Sequence, residues 1–170
     1  MEIKKTAQFY EKNRYVLIKK FISKEQAHYL YNYGVLRANR AATMAKSKWP
    51  GYRPDIDGTF TDQQVPGTYS CYADPAMETL LLQGLDGMRK ITGLNLAPTY
   101  SYWRLYKNGD VLKRHKDRPS CEVSTTLCLG YNNENLKDKK KHWQLYNWPM
   151  WVDKKGGKGN KGTPIHMEPG

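Results

Sequence analysis

The sequence predicts an α+β fold, with helices first and antiparallel strands after them. Three observations carry this. Apolar residues recur at helical spacing after Ser23 and again after Asp74. From Pro98 onward the pattern changes to residues alternating two by two, as on strands. Asn108-Gly109, a tight-turn dipeptide, then separates one such run from the next.

The first half is read as helical support. Residues 14–22 are expected to form a short strand before the first helix. Ser23 is placed to cap that helix, with Gln26 completing a capping box. Ala27, Leu30, Tyr31 and Gly34 follow on one face. Residues 46–74, rich in Pro, Gly, Asp and Tyr, are expected to form a long irregular connection. Asp74 and Pro75 are suited to the N-cap and first turn of a second helix, and Gly93 to its end. Met77, Leu80, Leu81, Leu85 and Met88 give that helix its apolar stripe.

The second half is read as strands. Tyr100, Tyr102, Arg104 and Tyr106 share one face of a strand, against Ser101, Trp103 and Leu105 on the other. Glu122–Leu129, residues 142–152 and Thr163–Met167 are expected to be further strands. Trp143, Trp148 and Trp151 are read as strand packing or the rim of a pocket.

Composition narrows the function. The 170 residues suit one domain, and no stretch is long and apolar enough to span a bilayer. Three cysteines in no C-x-x-C spacing argue against a disulfide framework and suggest a reducing, cytoplasmic setting. The net charge of +12 has two readings: a surface for nucleic acid or another polyanion, or a solvated surface. Residues 137–161 hold eight Lys and two Asp together with several glycines, and are read largely as exposed loop.

The chemistry-bearing residues are His115 and Asp117. On a strand, residues two apart project to the same side, so both could reach one metal ion. An imidazole and a carboxylate, completed by a second histidine, make the facial triad of non-haem Fe(II) oxygenases. The stretch Tyr100–Gly130 (YSYWRLYKNGDVLKRHKDRPSCEVSTTLCLG) resembles the core of 2-oxoglutarate- and Fe(II)-dependent oxygenases. The nearest branch is prolyl-4-hydroxylase-like, including versions in marine phages and bacteria.

The resemblance implies a single oxygenase-like domain over residues 1–170. Residues 1–97 would form helix-rich support, packed on a double-stranded β-helix, jelly-roll-like core at 98–170. It implies Fe(II), 2-oxoglutarate and O2 as cofactor and cosubstrates, leaves room for ascorbate, and gives succinate and CO2 as products. His115 and Asp117 would be metal ligands. Tyr106, Thr126 and Ser124 would contact 2-oxoglutarate. The substrate would be a peptidyl, prolyl-like side chain or a small molecule, with nucleic acid second, no membrane, and a monomeric or homodimeric state. The cell would be bacterial or phage-infected.

One departure stands out. In the family, the second histidine and the basic anchor for 2-oxoglutarate follow the turn at which Pro169-Gly170 stand here. His166, His142 and His28 do not match that position and are read as structural or surface residues. The chain is therefore expected to be a truncated or inactive form. The alternative is a non-catalytic basic β-domain that binds nucleic acid or a partner protein. Steeply salt-dependent binding without Fe(II) uptake would favour it.

Overall fold

The computed structural model describes residues 3–132, 149–156 and 159–170. The chain divides into two compact units, Asn32–Ser124 and the pair of segments Met1–Tyr31 and Thr125–Gly170. The expected strand at 142–152 is described only from Pro149 on, and His142, Trp143 and Trp148 lie outside the described residues.

In the unit made of the two outer segments, α1 (Ile3–Asn13) is followed by irregular, bent chain over 15–22, not by a strand. α2 (Lys24–Lys46) begins where Ser23 Oγ accepts the Gln26 amide at 3.1 Å. Such a cap satisfies an amide that the first helical turn leaves without a partner. Ala27 and Leu30 are buried. The Ile22 amide donates to the Gly170 carbonyl at 3.2 Å, and the Gly170 amide to the Cys128 carbonyl at 3.0 Å. The Tyr131 hydroxyl donates to the Met167 carbonyl at 2.5 Å. A two-stranded antiparallel sheet pairs Met150–Val152 with Thr163–Ile165, with Trp151 opposite Pro164.

The unit Asn32–Ser124 holds the rest of α2, the single turn α3 (Pro54–Asp57), β1 (Tyr69–Tyr72), α4 (Pro75–Thr92) and β2 (Tyr102–Leu105). Here β3 and β4 denote the two strands of the other unit, Met150–Val152 and Thr163–Ile165. β1 and β2 pair antiparallel, with Tyr69 opposite Leu105, Ser70 opposite Arg104, Cys71 opposite Trp103 and Tyr72 opposite Tyr102. Opposite residues share a face. Tyr69, Cys71, Trp103 and Leu105 therefore point one way and pack on Ala38 and Ala41 of α2, with Tyr52 and Phe60. Gly34 admits Trp103: a Cβ there would stand 2.9 Å from the indole.

α4 carries both expected signals. Asp74 accepts the Ala76 amide at 3.0 Å, and Gly93 closes the helix in the left-handed region at φ 73°. Asp74 also accepts the Tyr33 hydroxyl and faces Arg37 Nε at 3.4 Å, which ties α4 to α2. The long connection at 46–74 proves more ordered than expected, since it contains α3 and β1.

The predicted double-stranded β-helix is not found. Among the described residues the sheets are two separate antiparallel pairs, β1–β2 and β3–β4, neither curled nor closed. Residues 106–132 contain no strand, so neither the approach to His115 nor Glu122–Leu129 contributes the ladders that a jelly roll requires. No described helix is long and apolar enough to cross a membrane.

Candidate nucleic-acid interface

The residues first singled out do not build a metal centre. His115 Nε2 lies 3.5 Å from Asp117 Oδ1, and its Nδ1 is 2.8 Å from the Lys113 carbonyl oxygen. Both side chains are exposed, in irregular chain. Among the described residues no three His, Cys, Asp or Glu side chains gather to hold a metal ion. Tyr106 is half-buried just past β2, Ser124 and Thr126 are exposed on no strand, and His166 is exposed just after β4. His28 is exposed on α2.

The donor set thus does not fit Fe(II). Two adjacent exposed side chains leave an iron without the third protein ligand that the facial triad needs. The reading as a 2-oxoglutarate- and Fe(II)-dependent dioxygenase, with O2 and ascorbate and a prolyl-hydroxylase-like oxidoreductase chemistry, is therefore corrected on both the fold and the site.

What the structure does assemble lies on the outer face of the β1–β2 ribbon. With Tyr69, Cys71, Trp103 and Leu105 turned inward, the pleat turns Ser70, Tyr72, Tyr102 and Arg104 to the other face, where Ser70 and Arg104 are covered and the two tyrosines exposed. Tyr100, two residues before Tyr102, joins them. The Tyr72 and Tyr100 rings lie with centroids 4.8 Å apart and planes at 36°. Tyr72 is 51% exposed and Tyr102 41%. The Arg118 guanidinium sits over the Tyr100 ring, 5.1 Å from its centroid, and that of Arg104 over Tyr102 at 4.7 Å. Cys121 Sγ donates to the Tyr100 hydroxyl at 3.3 Å.

A basic segment runs into this face. Lys113, Arg114, Lys116 and Arg118 are all exposed, with Asp117 the one acidic residue among them. Lys107 is also exposed and donates to the Gly67 carbonyl at 2.6 Å. At the other end of the ribbon, Asp62 Oδ2 accepts Arg104 Nη2 at 2.7 Å and Nε at 3.1 Å, and also accepts the Tyr102 hydroxyl. Burial pushes the Asp62 carboxyl up. The hydrogen bonds from Tyr102, Arg104 and the Gln64 amide, with the Arg104 charge, outweigh it and bring the group down to about 2.

The alternation of Tyr100, Tyr102 and Arg104 was visible in the sequence. Tyr72 was missed, although the run Tyr69–Tyr72 has the same alternation, because it is embedded among Pro, Gly and Asp. Asp62 carried no local signal. No protein-family profile, curated protein or solved structure matches this chain.

Proposed function

We propose that the outer face of the β1–β2 ribbon binds single-stranded nucleic acid. The observation that carries this is the exposed Tyr72 ring packed on the half-buried Tyr100, with Arg118 over the Tyr100 ring at the end of a basic segment. Proteins that hold single strands without reading sequence combine two elements: aromatic rings on which bases stack, and cations that follow the backbone. The rings and Arg118 are on this face, and Lys113, Arg114 and Lys116 lie in the exposed chain that leads to Arg118. Tyr72 and Tyr100 offer stacking surface, and Lys113, Arg114, Lys116 and Arg118 offer charge for phosphates. A duplex keeps its bases stacked on each other, so an aromatic face favours unpaired strands. The overall charge of +12 draws any polyanion toward the protein.

Binding is measured by fluorescence anisotropy with labelled oligo-dT and oligo-rU of about 15 nucleotides, near the upper end of known single-strand site sizes. Tyr100→Ala and Tyr72→Ala are each expected to weaken binding by ~1–3 kcal/mol, the worth of one base–aromatic stack. Arg118→Gln is expected to flatten the salt dependence by about 0.7 in log–log slope, one phosphate contact for a single strand. Equal affinity for duplex, equal competition by an acidic peptide, or tyrosine variants that bind as the wild type does would overturn the reading.

A further inference from the structure

Within that reading, the position of Asp62 has a consequence for which part of the face a strand uses. Asp62 sits on a loop, residues 59–68, that folds back along β1. Thr59 exchanges both backbone hydrogen bonds with Ser70, each at 2.8 Å, and the Gly67 amide donates to the Phe60 carbonyl at 3.0 Å. The loop is also fixed from outside. Thr68 donates to Asp110, and Lys107 Nζ to the Gly67 carbonyl. Asp62 is held by its own loop as well, since Oδ1 accepts the Gln64 amide at 2.7 Å and the Val65 amide at 3.4 Å. Its other oxygen is turned to Arg104 and Tyr102.

The carboxylate therefore takes the position on the guanidinium that a phosphate oxygen would take. Gln64 Oε1 accepts a further bond from Arg104 Nη2. The side chains of Arg104 and Asp62 are 10% and 8% exposed. Arg118, at the other end of the aromatic face, makes no such ion pair among those found in the described residues, and its segment is exposed.

We propose that Asp62 is a specificity-determining residue of this face: it occupies Arg104 and confines a bound strand to the Tyr72–Tyr100–Arg118 end. This rests on the nucleic-acid reading. The pair Asp62–Arg104 is electrically neutral, so it adds hydrogen-bonded order without adding a phosphate site. Neutralising Asp62 leaves the Arg104 charge uncompensated beside Tyr102, with Gln64 still holding the guanidinium, and so lengthens the strand that the face can hold.

The experiment uses the full chain, labelled oligo-dT and oligo-rU, and the variants Asp62→Asn, Arg104→Gln and their double combination. Asp62→Asn is expected to steepen the salt slope by about 0.7, one added phosphate contact. Between ~50 and ~200 mM salt it then loses about 2.6-fold more affinity than the wild type does. Arg104→Gln leaves the carboxylate without its guanidinium and is expected to weaken binding at low salt and flatten the slope. The double variant is neutral again and is expected to return to the wild-type slope. A purely structural role predicts something else: weaker binding with an unchanged slope in Asp62→Asn, and no restoration in the double variant. Either result overturns the proposal, as does Arg104→Gln behaving like the wild type. Wild type that binds no strand, or binds independently of Tyr100, overturns the nucleic-acid reading itself. Tyr100-dependent binding with a slope indifferent to Asp62 overturns only the role of Asp62.

Discussion

Replacing Asp74 by alanine should be among the most damaging single changes in the unit Asn32–Ser124. Its side chain is fully buried, and three groups converge on it. The Ala76 amide donates at 3.0 Å, the Tyr33 hydroxyl reaches both carboxylate oxygens at 2.9 and 3.0 Å, and Arg37 Nε lies 3.4 Å away. Loss of an N-cap alone costs about 1 kcal/mol. Removing one partner of a covered ion pair costs ~3–5 kcal/mol, because the remaining charge is left without compensation. These contributions overlap on one carboxylate and are not summed, so the expectation is ~3–5 kcal/mol in total. Asp74→Asn keeps the cap and the shape and loses the charge, and should cost ~1–3 kcal/mol. Urea unfolding followed by circular dichroism at the helix band reads both. A second signature is local. Burial, then the Asp74 hydrogen bond and charge, push the Tyr33 phenol up to about 12. In Asp74→Ala that value should fall toward the ordinary one, measured by NMR titration of labelled tyrosine rings. An alanine variant within about 1 kcal/mol of wild type, a size ordinary for unremarkable positions, would refute the assignment of Asp74 as the tie between α2 and α4.

Three other outcomes are expected. Gly34→Ala brings a Cβ within 2.9 Å of the Trp103 ring; overpacking of ~1–3 kcal/mol outweighs the roughly 1 kcal/mol that alanine gains in a helix. The check is a lowered urea midpoint with altered Trp103 fluorescence, and a stabilised variant would contradict this packing. Gly58→Ala should cost more, about 3 kcal/mol, since φ 88° with ψ 168° is nearly confined to glycine and the new Cβ would overlap the Tyr69 ring. Thermal unfolding tests it, with Tm expected to fall by more than for Gly34→Ala. Finally, the Asp62 carboxyl titrates at about 2 in the folded protein against an ordinary 3.8. Between those values the unfolded chain binds more protons, so stability rises with pH. The Asp62 contribution is complete above about pH 5 and is lost progressively as pH falls through about 2. Asp62→Asn should lack that part of the pH dependence in acid unfolding; identical profiles would count against the Asp62–Arg104 pairing.

The parts of this structure that were legible are those decided by near neighbours. Ser23 as a cap, Asp74-Pro75 opening α4 and Gly93 closing it each depend on a few adjacent residues, and each is found as read. The alternation around Tyr102 was also legible, because a pleat imposes it on any strand. The start and end of α2 differ in this respect. Its cap was visible, but its run to Lys46 continues through Ala38 and Ala41, small residues whose burial depends on Trp103 and Tyr69 packing against them.

What was not legible depends on distant partners. Residues 106–132 alternate well enough to suggest strands, yet a strand exists only where another supplies its hydrogen bonds. None does so there, and the chain keeps irregular backbone in which His115 and Asp117 are merely adjacent. Conversely, the short run Tyr69–Tyr72 looked like part of a loop and became a strand because Tyr102–Leu105 pairs with it. That one pairing decides the candidate site. Once Cys71 faces Trp103 across the core side, Tyr72 must face Tyr102 on the other, and Asp62 reaches Arg104 because its loop is bridged to Ser70. The spacing H-x-D promised a site on the assumption of a strand, and lost its meaning with that strand. The tyrosines acquired theirs from a register that no local pattern encodes.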